Sequence, residues 1–337
     1  PSVTEMSMKF TGLLALLCIG SFLACQTAPV ESFEPQPQLL SPQSVESLHI
    51  GDEAPDFNLP STDGQWYSLS DFEHAEVLVV VFTSNSCPYT QTYEERMIRF
   101  VDDYRSKDVE LVVIAAHSPL AIAPEDLDFS DLDESYSSLQ ERARQMNFNF
   151  PYLYDGDQHL AGLAYGPQRL PHAFVFDEDR KLRYHGNLDF NSKPMAANME
   201  HIRIATDAIL EDRMIIRKER PALGCEVMWS WRQDLAQQKD SVWQEQPVRL
   251  YQIDYDSLKT VMVNFSNNAL MINFWATWCG PCKQEFPELM QLQRMYGHRA
   301  FELVTVSLDD PEKEKEALDF LQGIHAPTHN FIYTGNK

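Results

Sequence analysis

Cys279 and Cys282 stand three positions apart in the run Trp278-Cys279-Gly280-Pro281-Cys282. Cysteines at that spacing do redox chemistry when they open a helix. On the first turn they occupy neighbouring corners, within the roughly 4.4–6.8 Å Cα separation that a disulfide tolerates. The free amides and positive dipole end of such a helix favour a thiolate on the first cysteine, which makes Cys279 the expected nucleophile. Pro281 suits a first turn, where no amide donor is needed, and Gly280 completes the pattern. Trp278 is expected to shield one side of the sulfur pair. Glu285, three residues beyond Cys282 on the same helical face, is placed to exchange a proton with the deeper thiol; a solvated helix carboxylate is the plain alternative.

Paired cysteines have two other uses. Half of a zinc site is one, but such a site usually takes a second Cys or His pair; the chain holds no second CxxC, only His325 and His329 spaced by four. A static disulfide is the other, and a strand, a tryptophan and Gly-Pro around the pair speak against it.

The elements that must position these cysteines are legible. The apolar run Ala269 to Ala276 ends abruptly at the motif, and helical periodicity follows, so a strand feeds a redox helix. With its surroundings, FWATWCGPCKQEFPEL resembles the thioredoxin-like, membrane-attached thiol-disulfide oxidoreductases that bacteria use outside the cytoplasm, including those of cytochrome c maturation. The run Cys-x-x-Cys-x-x-Glu-x-Pro, from Cys279 to Pro287, is more specific to that branch than CGPC alone. The resemblance implies a reducing thiol-disulfide exchange at Cys279 and Cys282, with disulfide-containing envelope proteins as substrates and a membrane partner as electron donor. It calls for no cofactor and no metal.

Length and composition bound the rest. A chain of 337 residues suggests two domains, and 44% apolar residues suffice for packed cores. A net charge of −23 argues against nucleic acid or an anionic membrane surface as a partner, since either requires a basic face. Residues 1–24 read as an export signal with an upstream extension: Met8 is the natural start, and Lys9 precedes an apolar run from Phe10 to Leu23 that is short for a membrane span. The run ends in Phe-Leu-Ala-Cys, which resembles a bacterial lipobox and implies lipidation of Cys25 and a place in the cell envelope. Residues 25–47, rich in Pro, Gln and Ser, are expected as a flexible tether.

Residues 48–232 read as a first domain. Buried strands are expected at Val77 to Phe82 and Val109 to Ala116, with a helical pattern from the Cys87 region through Tyr104 between them. A helix near Tyr136 to Met146, a strand at Phe150 to Tyr154, a helix at Gln158 to Tyr165, an antiparallel pair at His172 to Phe176 and Lys181 to His185, and a helix from Met195 to Asp212 complete it. Strands alternating with helices imply an α/β fold with a covered, mostly parallel sheet. Ala54-Pro-Asp-Phe57, Ser86-Cys-Pro-Tyr89, Pro171-His-Ala-Phe174 and Gly224-Cys225 make this segment resemble a thioredoxin fold of the redoxin or peroxiredoxin-like branch. That resemblance implies a cis Pro171 beside the reactive sulfur. Thr90 stands where a second local cysteine would be, and Thr83 lies four residues before Cys87 rather than three, without the upstream proline of a peroxide site. Cys87 is either a reactive thiol or a relic, and Cys225 either its distant resolving partner or a single buried cysteine.

Residues 233–247 are polar and read as a connector. Residues 248–337 read as a second thioredoxin-like domain, with Phe301 to Leu308 as its next strand and Asp309-Asp310-Pro311 capping a helix to about Ile324. It reads as incomplete: a cis-proline loop, two strands and a closing helix are expected after Tyr333, and without them the edge of the Ala269 to Ala276 strand is expected to be exposed. Three functions follow: a protein-disulfide reductase working through Cys279 and Cys282; a peroxidase in which Cys87 reduces peroxide and the CGPC segment regenerates it; and a non-catalytic binding role for the first domain.

Overall fold

The computed structural model describes residues 33–127, 130, 132–189, 198–263 and 268–335. The expected export signal and Cys25 lie outside them. Among the described residues no helix is long and apolar enough to cross a membrane.

The Asp63-Gly64 turn does close a hairpin, β1 (Asn58–Pro60) against β2 (Trp66–Ser68). There follow β3 (Val77–Thr83), the single turn α1 (Pro88–Gln91), α2 (Glu94–Tyr104), β4 (Val109–Ala115), α3 (Tyr136–Met146), β5 (Tyr152–Tyr154) and α4 (Leu160–Tyr165). Then come β6 (Arg169–Leu170), β7 (His172–Phe176), β8 (Leu182–Gly186), α5 (Glu200–Leu210) and β9 (Cys225–Glu226). The five-stranded sheet runs β5-β4-β3-β7-β8, parallel from β5 to β3 and antiparallel beyond. Every residue of β3 is buried because both faces are covered. Val77, Val79 and Val81 pack on the side of Met97, Phe100 and Tyr104 of α2, while Leu78, Val80 and Phe82 face Tyr165 and Leu170. Strict alternation between two apolar faces is what a continuous β-branched run produces at period two. The single helix expected after Cys87 is broken at Thr92-Tyr93, where the Thr92 hydroxyl donates to the Pro88 carbonyl at 3.0 Å.

The second sheet is built from β10 (Tyr251–Ile253), α7 (Tyr255–Val263), β11 (Ala269–Trp275), α8 (Gly280–Tyr296), β12 (Phe301–Ser307), α9 (Glu314–Gly323) and β13 (His329–Tyr333). Its four strands run β10-β13-β12-β11, all parallel. Among the described residues β11 pairs on one edge alone, with β12. Met271 and Phe274 on it are 38% and 43% exposed.

Two stretches differ from expectation. Residues 233–247, taken as a connector, are mostly helix, α6 (Gln233–Gln244), because Trp243 is buried against Trp275 and Phe286. Residues 33–47 of the tether are coil held by named contacts: Phe33 packs edge-on against Trp66 and Tyr136, and Gln38 and Leu40 donate backbone amides to Asp157 O at 2.9 Å and Ser230 Oγ at 3.1 Å. One apolar ring and a few fixed amides outweigh the polar composition that reads as flexible.

Candidate active site

β11 delivers its last residue, Trp275, into the core and then turns at Ala276 and Thr277 to present Cys279 as the residue capping α8. The Cys279 amide donates back to Ala276 O at 3.0 Å, and Cys279 Sγ accepts from the Cys282 amide at 3.3 Å. The two cysteines are paired, with S–S 1.93 Å and Cα atoms 5.4 Å apart. The sulfur that the helix dipole favours as thiolate therefore sits on the positive end of a 17-residue helix. Both cysteines are half-buried, Cys282 against the apolar cluster of Trp275, Phe286 and Leu321.

Beside the pair, Trp278 is 73% exposed. Glu285 is exposed on α8. Gly280 has open space where a Cβ would stand, and Pro281 occupies the first turn. His325 Nε2 meets the Trp243 carbonyl at 2.7 Å and His329 faces Glu302 at 3.6 Å, so each imidazole is engaged away from the cysteines. Asp309, expected to help cap the helix after β12, is 1% exposed and turned inward: its carboxylate accepts from the Thr277 amide at 2.9 Å, Thr277 Oγ1 at 2.8 Å and Ser307 Oγ at 2.7 Å. Asp310 takes the capping position, before the 3-10 turn Pro311–Lys313.

The second cysteine pair joins distant chain. Cys87 caps α1 and is bonded to Cys225, with S–S 2.17 Å and Cα atoms 6.0 Å apart. Cys87 is 2% exposed, and its Sγ lies 3.6 Å from the carbonyl oxygen of Leu170. The Leu170–Pro171 peptide is cis, as expected. β6 pairs antiparallel with β9, Leu170 opposite Cys225 and Arg169 opposite Glu226. At Gly224, φ is +133° and a Cβ would fall 1.9 Å from Leu170 O, so only glycine lets this strap lie so close.

Buried polar groups fix the Cys87 loop. Glu134, 1% exposed, accepts from the amides of Asn85 and Ser86 at 3.1 and 2.8 Å and from Ser86 Oγ at 2.6 Å. Burial pushes its carboxyl up to about 7 against the pull of those donors. Thr90 Oγ1 lies 2.6 Å from Ser84 O and 2.7 Å from Cys87 O, holding the loop closed. Beyond β6 lies a cleft of about 800 Å³ bordered by Arg169, His172, Arg220, Glu226, Trp229 and Arg232. His172 is held down to about 3 by burial and then by His185; as a neutral ring it accepts the Gln168 amide at 3.1 Å. Sequence reasoning missed Glu134 and the inward role of Asp309, since neither carries a local motif.

The profile of the AhpC/TSA family matches residues 50–185 and again 242–328. The chain belongs to the AhpC/TSA family. Its fold is α/β and thioredoxin-like, with a mixed central sheet flanked by helices. Among curated proteins it is 39% identical over 59 residues to the thiol-disulfide oxidoreductase ResA of Oceanobacillus iheyensis, covering 18% of this chain and 31% of that one. It is 34% identical over 58 residues to the thioredoxin-like protein YneN of Bacillus subtilis, covering 17% and 34%. The matched segment thus spans about a third of these relatives. Among solved structures, an uncharacterized conserved protein from Geobacillus kaustophilus is 31% identical, with TM-score 0.49, over 56% of this chain and 98% of that one. A putative thiol:disulfide interchange protein DsbE from Chlorobium tepidum is 22% identical, with TM-score 0.39, over 49% and 99%.

Proposed function

We propose that this AhpC/TSA-family chain is a cell-envelope thiol-disulfide oxidoreductase that reduces protein disulfides through Cys279 and Cys282. The observation that carries the reading is the pairing of the two sulfurs at the N-terminus of α8, with Cys279 half-exposed. The Cys279 thiolate attacks one sulfur of a substrate disulfide; a mixed disulfide forms and the other substrate sulfur leaves as a thiolate. Cys282 then attacks Cys279 Sγ, the first substrate sulfur leaves as a thiolate, and two electrons have passed to the substrate. Pro281 and Gly280 keep the approach to Cys279 open, and Glu285 is the nearest sequence candidate for taking the Cys282 proton. Lipidation at Cys25 and a membrane electron donor complete the proposal, with residues 48–232 and 248–337 as two tandem thioredoxin-like units.

Insulin reduction with dithiothreitol tests it. Cys279→Ser is expected to abolish turnover, and Cys282→Ser to accumulate a mixed disulfide. Full activity in Cys279→Ser overturns the reading.

A second reading is favoured by the Cys87–Cys225 bond: the first half is itself a dithiol-disulfide centre, with Cys225 resolving. In its peroxidase form, Cys87 reduces peroxide to a water or alcohol, is oxidised to a sulfenic acid, and condenses with Cys225 to release water. The hydroxyls of Ser86 and Thr90, on either side of Cys87, are engaged with Glu134 and with two carbonyls, which favours protein disulfides over peroxide as the substrate. Peroxide consumption lost in Cys87→Ser, with Cys279 and Cys282 intact, would establish the peroxidase form.

A further inference from the structure

The two cysteine centres share one feature outside their sulfurs. Asn85 stands two residues before Cys87, and its amide donates to Glu134 Oε2 at 3.1 Å. Thr277 stands two residues before Cys279, and its amide donates to Asp309 Oδ2 at 2.9 Å. Each carboxylate also takes a hydroxyl from the segment it holds, Ser86 Oγ at 2.6 Å and Thr277 Oγ1 at 2.8 Å. Both acids are 1% exposed. They lie in corresponding connections of the two sheets: Glu134 between β4 and α3, Asp309 between β12 and α9, where β4 and β12 are the parallel neighbours of the strands that lead into Cys87 and Cys279.

Burying a carboxylate is unfavourable unless it is well bonded, and here the bonds go to the loop that sets where the first sulfur points. We propose that Glu134 and Asp309 are the positioning carboxylates of their respective cysteine pairs, each fixing the turn before the first cysteine and each setting the redox equilibrium of its own pair alone. The proposal rests on the reading that both pairs exchange with thiols. Neither acid is a catalytic residue, since each acts through the backbone it holds. The direction of the effect follows from charge. A carboxylate bonded to the turn that carries the first cysteine disfavours a forming thiolate, so a neutral amide there stabilises the thiolate, and a stabilised thiolate favours the reduced form. A loosened turn also holds the two sulfurs less well together and moves the equilibrium the same way. The titratable groups facing Glu134 are Asp133 beside it and Tyr152 and Tyr154 of β5.

The experiment equilibrates the protein with a glutathione redox buffer and reads each pair by alkylation and mass spectrometry, in chains whose other pair is replaced by serine. Glu134→Gln is expected to raise the reduced-to-oxidised ratio of Cys87–Cys225 by about threefold or more, and Asp309→Asn to do so for Cys279–Cys282. Ser86→Ala and Thr277→Val, which remove a single hydroxyl donor, are expected to shift the same equilibria less and serve if a carboxylate variant fails to fold. Unchanged ratios in folded variants, or a shift of both pairs by one substitution, overturn the proposal. Because the sulfurs are read directly, retained insulin reduction in Cys279→Ser would sink the functional reading while leaving this result intact.

Discussion

Cys87 and Cys225 are 138 positions apart in sequence and meet with their Cα atoms 6.0 Å apart, each beside Leu170, whose carbonyl lies 3.6 Å from one sulfur and whose strand pairs with the other. Closing so long a loop removes much of the freedom of the unfolded chain. Cys225→Ser is therefore expected to cost about 2–5 kcal/mol of stability, read as a fall in urea midpoint under oxidising conditions. With Cys87 only 2% exposed, iodoacetamide should label it after dithiothreitol treatment and not before. An unchanged midpoint together with immediate labelling would mean the bond does not form in solution.

Acid should weaken the fold through buried imidazoles. Burial holds His172 and His117 down to about 3 and His159 down to about 4. A depressed folded value means that the unfolded chain binds the proton first, so this stability is present above about pH 6.5 and is lost as pH falls toward the folded values. Each such group contributes a slope of up to about 1.4 kcal/mol per pH unit. Glu134 and Asp155, both pushed up to about 7 by burial, act in the opposite sense, adding stability as pH falls from about 7 toward the unfolded carboxylate range. His172→Asn keeps an acceptor for the Gln168 amide and removes one titration. Urea midpoints taken between pH 7 and 5 should fall less steeply in that variant, and parallel curves would refute the assignment.

Arg294 of α8 reaches out of its own sheet to Glu125, at 2.8 and 3.1 Å, and to Asp240 at 2.6 Å, with its guanidinium 5.5 Å from the Trp243 ring centroid. Its side chain is 14% exposed, so removing it leaves a poorly hydrated carboxylate behind. Arg294→Met is expected to cost about 1–3 kcal/mol and to open residues 233–247 to limited proteolysis. If cleavage in that stretch proceeds at the wild-type rate, the contact does not hold the two sheets together.

Among the described residues the outer edge of β11 has no partner strand beside exposed Met271 and Phe274. Apolar edges of this kind recruit other strands. Sedimentation velocity on this chain should show association that grows with concentration, and Phe274→Lys should suppress it; a monomer at every concentration would contradict the expectation.

What the sequence determined by itself was whatever depends on neighbours in the chain. The β3 run had to be a two-sided buried strand because seven consecutive residues, all but one apolar, leave no face for water. Cys279 and Cys282 had to meet at a helix start because three residues span a single turn, and cis Pro171 followed from the family resemblance of its segment. Tertiary structure alone decided the rest. Glu134 reaches Ser86 across 48 positions and Asp309 reaches Thr277 across 32, and a lone acid in a loop carries no local mark of the amide it will meet. Whether Cys225 was a partner or a bystander depended on β9 lying against β6, a pairing of two residues on each strand with no periodicity to read. The polar stretch before β10 became a helix because one buried tryptophan had a core to enter, and a core exists only after distant segments have packed.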